Sequence, residues 1–252
     1  MWSFMIVLED VHKHYGRQVV LDGISFRIRE GSVTTIIGES GSGKSVLLRQ
    51  MIGLEKPDRG SIRIKGENIV EMKSRELNRI RRHIGVLFQE GALFDSLSVK
   101  ENVAFPVREH LRLTEKQVQQ IVDDKLTQVG LRDHQDKLPA ELSGGMRKRV
   151  GLARALALDP AVVFFDEPTT GLDPISSNVI YRLIERTHGD YSRTYVLVSH
   201  DVGGALSISD EVMMLRDGRI MWSGTPGELR ASPDEAVRRF ISGSITEPLP
   251  VK

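Results

Sequence analysis

Short apolar, β-branched runs separated by Gly and Asp dominate the first quarter of the chain. Residues 6–8, 19–21, 24–28 and 61–64 each read as a strand on this pattern. Val33-Thr34-Thr35-Ile36-Ile37 reads as a buried strand that runs directly into a glycine-rich loop. A second buried run occupies 84–88, after a basic stretch from Arg75 to His83. The pattern then changes to helical spacing. Ser98 is followed three residues later by Glu101, and Thr114 by Gln117, and both pairs are capping-box helix starts. In the second helix Val118, Ile121, Val122 and Val129 share one face, with Gly130 at the C-cap. Buried strands resume at 162–165 and 195–199, separated by a helical stretch, as in βαβ units. Met213 to Met221 reads as a hairpin turning at Asp217-Gly218. Ser232-Pro233-Asp234-Glu235 predicts a last helix with Ser232 as N-cap and Ala236, Val237, Phe240 and Ile241 on its apolar face.

The pattern therefore predicts an α/β fold with a parallel core sheet, an N-terminal antiparallel β-subdomain and an inserted α-helical subdomain at about 90–160. One domain is expected over 6–240, and a proline-containing tail over 241–252. Composition adds exclusions. With 252 residues, 40% hydrophobic and 27% charged, the chain has the makeup of a globular protein. Lys plus Arg (35) balances Asp plus Glu (34), so no nucleic-acid partner is expected from charge. The absence of cysteine excludes disulfides and thiolate metal sites. No apolar run reaches the roughly 18–20 residues of a membrane span. The opening residues, lacking a basic lead, read as a first strand and not as a signal sequence. Any membrane role is expected to be peripheral, through a partner.

Gly38-Glu39-Ser40-Gly41-Ser42-Gly43-Lys44-Ser45 matches the phosphate-binding loop pattern in full, with Val46 opening the apolar helix behind it. Its glycines let successive backbone N–H groups curl round a phosphate, and a helix N-terminus adds its dipole. Lys44 would reach the β- and γ-phosphates of ATP, and the Ser45 hydroxyl would hold Mg²⁺. By chance the pattern arises in about one chain in a hundred at average glycine usage. Val162-Val163-Phe164-Phe165-Asp166-Glu167 supplies the complement: an apolar strand carrying two carboxylates to its C-terminal end, where open α/β sheets bind ligands. Asp166 would position Mg²⁺, and Glu167 would act as general base on the attacking water.

These elements occur in many NTPases. Leu142-Ser143-Gly144-Gly145-Met146-Arg147-Lys148-Arg149 narrows the field. Here the chain resembles the ABC ATPases, a branch of the P-loop NTPases, over about residues 6–224. The family's signature is Leu-Ser-Gly-Gly-Gln, so Met146 is a departure, whereas Ser143, Gly144 and Gly145 are all present. The resemblance implies further roles. Tyr15 stands where the family's aromatic stacks on adenine. Gln89 matches the glutamine that joins Mg²⁺ and the attacking water to the helical insertion. Gly171-Leu172-Asp173 resembles the loop that passes between subunits, and His200 matches the histidine that contacts the γ-phosphate. The resemblance also implies a homodimer, in which each signature closes over ATP held by the opposite copy.

Three classes stay open on this reading: a transporter motor bound to a permease, a soluble ABC ATPase acting on ribosomes or DNA, and a regulatory module with little turnover. The chain has neither the fused second ATPase unit nor the long coiled coil usual in the soluble class. The regulatory class should have lost a catalytic group, yet Lys44, Gln89, Asp166, Glu167 and His200 all stand. The stretch from Phe88 to His110, with its Gly-Ala-Leu-Phe and Phe-Pro-Val-Arg-Glu-His segments, and Met146 look like the ATPase subunits of Mla/Mce-type lipid-transport systems. That resemblance implies integral membrane permease subunits, a lipid-binding Mce-type partner, and a place on the cytoplasmic face of the inner membrane. An importer of amino acids or other small polar solutes is the alternative.

Overall fold

The computed structural model describes residues 3–189 and 193–242. In chain order its elements are β1 (Phe4–Tyr15), β2 (Gln18–Arg29), β3 (Val33–Ile37), α1 (Lys44–Met51), β4 (Arg59–Ile64), β5 (Glu67–Asn68), α2 (Ser74–Arg81), β6 (Ile84–Leu87), α3 (Val99–His110), α4 (Glu115–Gln128), α5 (Gly144–Leu156), β7 (Val162–Asp166), α6 (Pro174–Gly189), β8 (Thr194–Ser199), α7 (Val202–Ile208), β9 (Glu211–Arg216), β10 (Arg219–Gly224), α8 (Pro226–Arg230) and α9 (Glu235–Ser242).

Two sheets result. An antiparallel sheet runs β2-β1-β4-β5, and a second sheet runs β10-β9-β3-β8-β7-β6. In the second sheet β9, β3, β8, β7 and β6 are parallel, and only β10 folds back as an antiparallel edge. The central strands read as unbroken apolar runs because helices or the other sheet cover both faces. Their alternation still divides two cores. Phe164, Val196, Val198 and Ile36 face α1 and the antiparallel sheet, packing with Leu47, Leu48, Met51, Ile6 and Leu8. Val163, Phe165, Tyr195 and Leu197 face the opposite layer, with Val103, Val122, Val150, Leu152 and Ile184. Each fully buried side chain of this size contributes about 1.5–3 kcal/mol of burial free energy.

Between β6 and β7 the chain leaves the sheet as α3, α4 and α5. Ser98 and Thr114 cap α3 and α4 as the spacing predicts, each closing a capping box with Glu101 and Gln117. Gly130, at φ +68°, ends α4: its N–H bonds to Thr127 O, and the Leu131 N–H bonds to Leu126 O. This is the paired hydrogen-bond pattern of a Schellman cap.

Three local expectations differ from what folds. Residues 19–21 and 24–28 belong to one strand, β2, because Gly23 at φ +70° takes up the irregularity without ending the pairing. The basic stretch after Lys73 forms α2, a helix that buries only Leu77 and Ile80. The last helix starts at Glu235: Asp234 Oδ1 accepts the Ala236 N–H at 2.8 Å, while the Ser232 hydroxyl accepts the Asp234 N–H at 3.3 Å. Asp234 therefore caps it, two residues after the expected Ser232. Val237 is buried there, with Phe240 and Ile241 packed against the same cluster. Ile241 and Ser242, the first residues of the expected tail, close α9; residues 243–252 lie outside the described residues, as do Met1 and Trp2.

Candidate functional site

The phosphate-loop residues sit where β3 meets α1. At Gly38 a Cβ would lie 2.3 Å from the Leu215 carbonyl oxygen of β9. Gly43 adopts φ +102°, and a Cβ there would lie 2.8 Å from Val20 O. Gly43 is also the N-cap of α1, so no side chain satisfies the first amides of that helix. Unpaired N–H groups and the helix dipole converge at this end, the arrangement that receives a phosphate. Lys44 is buried there. Its ammonium donates to Gly38 O and Glu39 O, both at 2.8 Å, and lies 3.8 Å from Glu167 Oε1. Desolvation pushes the Lys44 pKa down, against the pull of Glu167 and Asp166.

Strand β7 delivers the two acids to the same end of the sheet. Asp166 Oδ1 accepts the Ser45 hydroxyl at 3.2 Å, and burial pushes its carboxyl pKa up. Glu167 follows at φ +50°, a left-handed conformation that costs a side-chain-bearing residue about 1–3 kcal/mol. Its N–H bonds to Val198 O at 2.9 Å, and its Oε2 accepts the His200 backbone N–H at 3.1 Å. His200 Nδ1 lies 2.7 Å from the same oxygen. An ionised carboxylate only accepts, so Nδ1 carries the hydrogen in that pair.

A cleft of about 640 Å³ opens over these groups. Tyr15, Gln18, Val20, Gln89, Thr170 and His200 form its walls, with Ser40, Gly41, Gly43, Lys44, Ser45, Val46 and Glu167. That size falls within the range of sites for ligands as large as a nucleotide. Tyr15 is about half exposed on the rim. Its hydroxyl donates to Glu55, and the Lys13 ammonium covers one face of its ring, 5.6 Å from the centroid. Glu55 also receives Arg49 and Lys13, so the rim aromatic is tied to the end of α1. Glu39 and Ser42 line a smaller adjoining cavity with Arg216 and Asp217, and the Ser42 hydroxyl is buried without a hydrogen-bond partner. Ser45, Asp166 and Gln89 offer only oxygen, a donor set suited to Mg²⁺ sharing its shell with phosphate. Among the described residues no group of three or more His, Asp or Glu could hold a metal on protein ligands alone.

Four expected residues stand apart from the cleft. Ser143 caps α5, its hydroxyl accepting the Met146 N–H at 3.2 Å, and Gly144 and Gly145 form the first turn. Asp173 Oδ1 accepts the Ile175 and Ser176 N–H groups at the start of α6, and the Ser176 hydroxyl holds its carboxyl below the usual range. These two helix starts lie together: a Cβ on Gly144 would lie 3.3 Å from Leu172, and one on Gly145 3.7 Å from Ser176. None of the four lines the cleft of their own chain.

Sequence reasoning missed Gln18, Val20 and Thr170 in the cleft wall, and Glu55 behind Tyr15. Gln18 had a signal, since β1 and β2 pair Tyr15 directly with Gln18 across the hairpin. Glu55 had none, because only the folded path of β1 past α1 brings it to Tyr15.

The sequence profile of the ABC transporter family matches residues 21–170. The chain is similar to the intermembrane phospholipid transport system ATP-binding protein MlaF of Haemophilus influenzae, 44% identical over 94% of this chain and 90% of that one. It is also similar to a probable ribonucleotide transport ATP-binding protein, mkl of Mycobacterium leprae: 41% identical over 97% of this chain and 70% of that one. Among solved structures, it superposes on the ATP-binding cassette MJ0796, a dimer in a post-hydrolysis state bound to ADP and Pi. The TM-score is 0.82 at 30% identity, covering 88% of this chain and 99% of that one.

Proposed function

We propose, from the premise that the chain belongs to the ABC transporter family and is an ATP-hydrolysing subunit of that kind, that it drives phospholipid transport across the bacterial envelope. It does so as a homodimer on the cytoplasmic face of the inner membrane, docked on permease subunits that work with a lipid-binding Mce-type partner. The observation that carries the lipid reading is the 44% identity, over 94% of this chain, to a phospholipid-transport relative. The docking surface for the permease is the stretch from Phe88 to His110, where the Phe94 and Phe105 rings meet at a tilt of 52°, 4.7 Å between centroids, and stay partly exposed.

In this reading the backbone N–H groups between Gly38 and Ser45 bind the ATP phosphates, and Tyr15 stacks on the base. Lys44 exchanges its two carbonyl acceptors for β- and γ-phosphate oxygens. Mg²⁺, held by Ser45, Asp166 and Gln89, would supply charge neutralisation on those oxygens. Glu167 takes a proton from the attacking water as general base. His200, already bonded to Glu167 through its backbone N–H and Nδ1, holds that carboxylate in place and contacts the γ-phosphate. Ser143, Gly144, Gly145 and Asp173 lie off their own cleft because they complete the cleft of the second copy.

The test is purification of the chain with its permease, followed by reconstitution between donor and acceptor vesicles. ATP-dependent transfer of labelled phospholipid is the expected result. ATP-dependent uptake of a ribonucleotide, with no lipid transfer, would favour the second reading suggested by the mycobacterial relative.

A further inference from the structure

Lys148 is buried on α5, five residues beyond the Ser143 cap. Among the described residues its ammonium faces no carboxylate within ion-pair distance. Instead it donates to two backbone carbonyls, that of Gln89 and, at 3.3 Å, that of Glu167. A buried ammonium is costly, and desolvation pushes this one's pKa down, so its place needs a reason. The two carbonyls it joins belong to the residue on the cleft wall after β6 and to the residue carrying the general base after β7. The Glu167 carbonyl is part of the peptide held at φ +50°. Its other acceptor contact, the Thr170 N–H at 3.2 Å, comes from its own turn.

The rest of α5 grips the segment after β6 in the same way. Arg154 donates to Gly91 O and Ala92 O, both at 2.8 Å. Gly151 lets the helix approach until a Cβ would lie 2.7 Å from Leu87 and 3.3 Å from Gly91. Helix α5 and residues 89–92 are thus one rigid unit. Lys148 extends that unit by a direct hydrogen bond to Glu167.

We propose that Lys148 is a positioning residue that sets the Glu167 peptide according to the position of α5. The N-terminus of α5 carries Ser143, Gly144 and Gly145, the residues that act on the other copy's nucleotide. When α5 docks there, Lys148 draws the Glu167 carbonyl with it, so the base of one cleft is aligned by engagement at the other. The inference rests on the reading of Glu167 as general base.

The test is a mutant cycle in the full-length chain, with MgATP turnover and nucleotide affinity both measured. Lys148→Met keeps the stem and removes the donors. It should lower kcat about 10- to 100-fold, the scale of a misplaced catalytic group, with the half-saturating ATP concentration changed less than threefold. Lys148→Arg, which keeps donors and charge, should stay within about tenfold of the parent. In a Glu167→Gln background, adding Lys148→Met should cost less than about threefold more, because the group being positioned is already lost. Full multiplication of the two losses, or an unaffected kcat in Lys148→Met, overturns the tether. If Lys148→Met does not fold, Lys148→Arg decides: a folded, ATP-binding Arg variant slowed more than a hundredfold overturns it. Normal turnover in Glu167→Gln alone would overturn the role of Glu167 and the tether together. A slow Glu167→Gln beside a normal Lys148→Met overturns the tether only.

Discussion

Two glycine-rich helix starts, one before α1 and one opening α5, look alike in sequence and are built on opposite principles. The first is dictated by its own chain. Gly38 and Gly43 admit no Cβ because backbone carbonyls of Leu215 and Val20 stand at 2.3 and 2.8 Å, and Gly43 has a conformation that L side chains rarely adopt. The helix behind it has no side-chain cap, so its amides wait for a ligand. The second is capped by its own Ser143. A Cβ on Gly145 would meet nothing closer than the Ser176 side chain at 3.7 Å, ordinary contact. Packing among the described residues explains the first set of glycines and leaves Gly145 unexplained, and the proposed two-copy site offers a reason for a small residue there.

That contrast can be broken by substitution. The largest effect is expected from Gly43→Ala, which combines a strained φ with an immovable carbonyl. Destabilisation of about 2–5 kcal/mol is expected, with ATP binding lost, as read by thermal unfolding and nucleotide titration. A normal melting curve would mean the first loop is not fixed by its own packing.

Next comes Ser143→Arg, expected to lower turnover about 10²-fold, the scale for removing a positioned donor, while ATP still binds. Mixing it with Lys44→Ala chains, with subunit exchange verified by differential tags, should restore part of the turnover through one intact composite cleft. Recovery no greater than either mutant alone would remove the two-copy site in its simplest form. Ser143→Ala isolates the cap and should cost about 0.5–2 kcal/mol of stability, checked by denaturant titration.

The smallest effect is the sharpest. Gly145→Ala, in the first turn of α5, should raise stability by up to about 1 kcal/mol, since alanine favours the helix, yet slow turnover. A parallel loss of stability and turnover would place the demand for glycine inside the chain after all.

Much of the fold was legible because its signals are local. The strands 33–37, 162–165 and 195–199, the capping boxes at Ser98 and Thr114 and the Asp217-Gly218 turn are each written in a few adjacent residues. Helix α2 escaped because it spans only eight residues and carries just two buried apolar side chains, Leu77 and Ile80, among many charges. Gly23 reads as a break in β2, yet a left-handed glycine within a paired strand is a bulge. In the site, the phosphate loop and the two acids were legible for the same local reason. The contacts that hold them, Tyr15 with Glu55 and Lys148 with Glu167, join residues whose separation is settled by sheet order, and no short window contains them.

Sheet order has one more consequence. Strands β6 and β7 are neighbours, so everything from Gln89 to Ala161 departs from one strand and returns to the strand beside it. The excursion carries no strand of its own, and its length leaves the pairing register from Ile84 with Val162 to Leu87 with Phe165 untouched. A segment joined in this way can change length without shifting the strands beneath it, but Gln89 and Lys148 lie within it and meet the Glu167 turn, so its two ends are bound to the site. The condition is written at the seam. Gly85 must stay glycine, because the backbone carbonyl of Ala155 would meet a Cβ at 2.4 Å, whereas at Gly151 the nearest atom, at 2.7 Å, is the end of the Leu87 side chain, with Gly91 Cα at 3.3 Å.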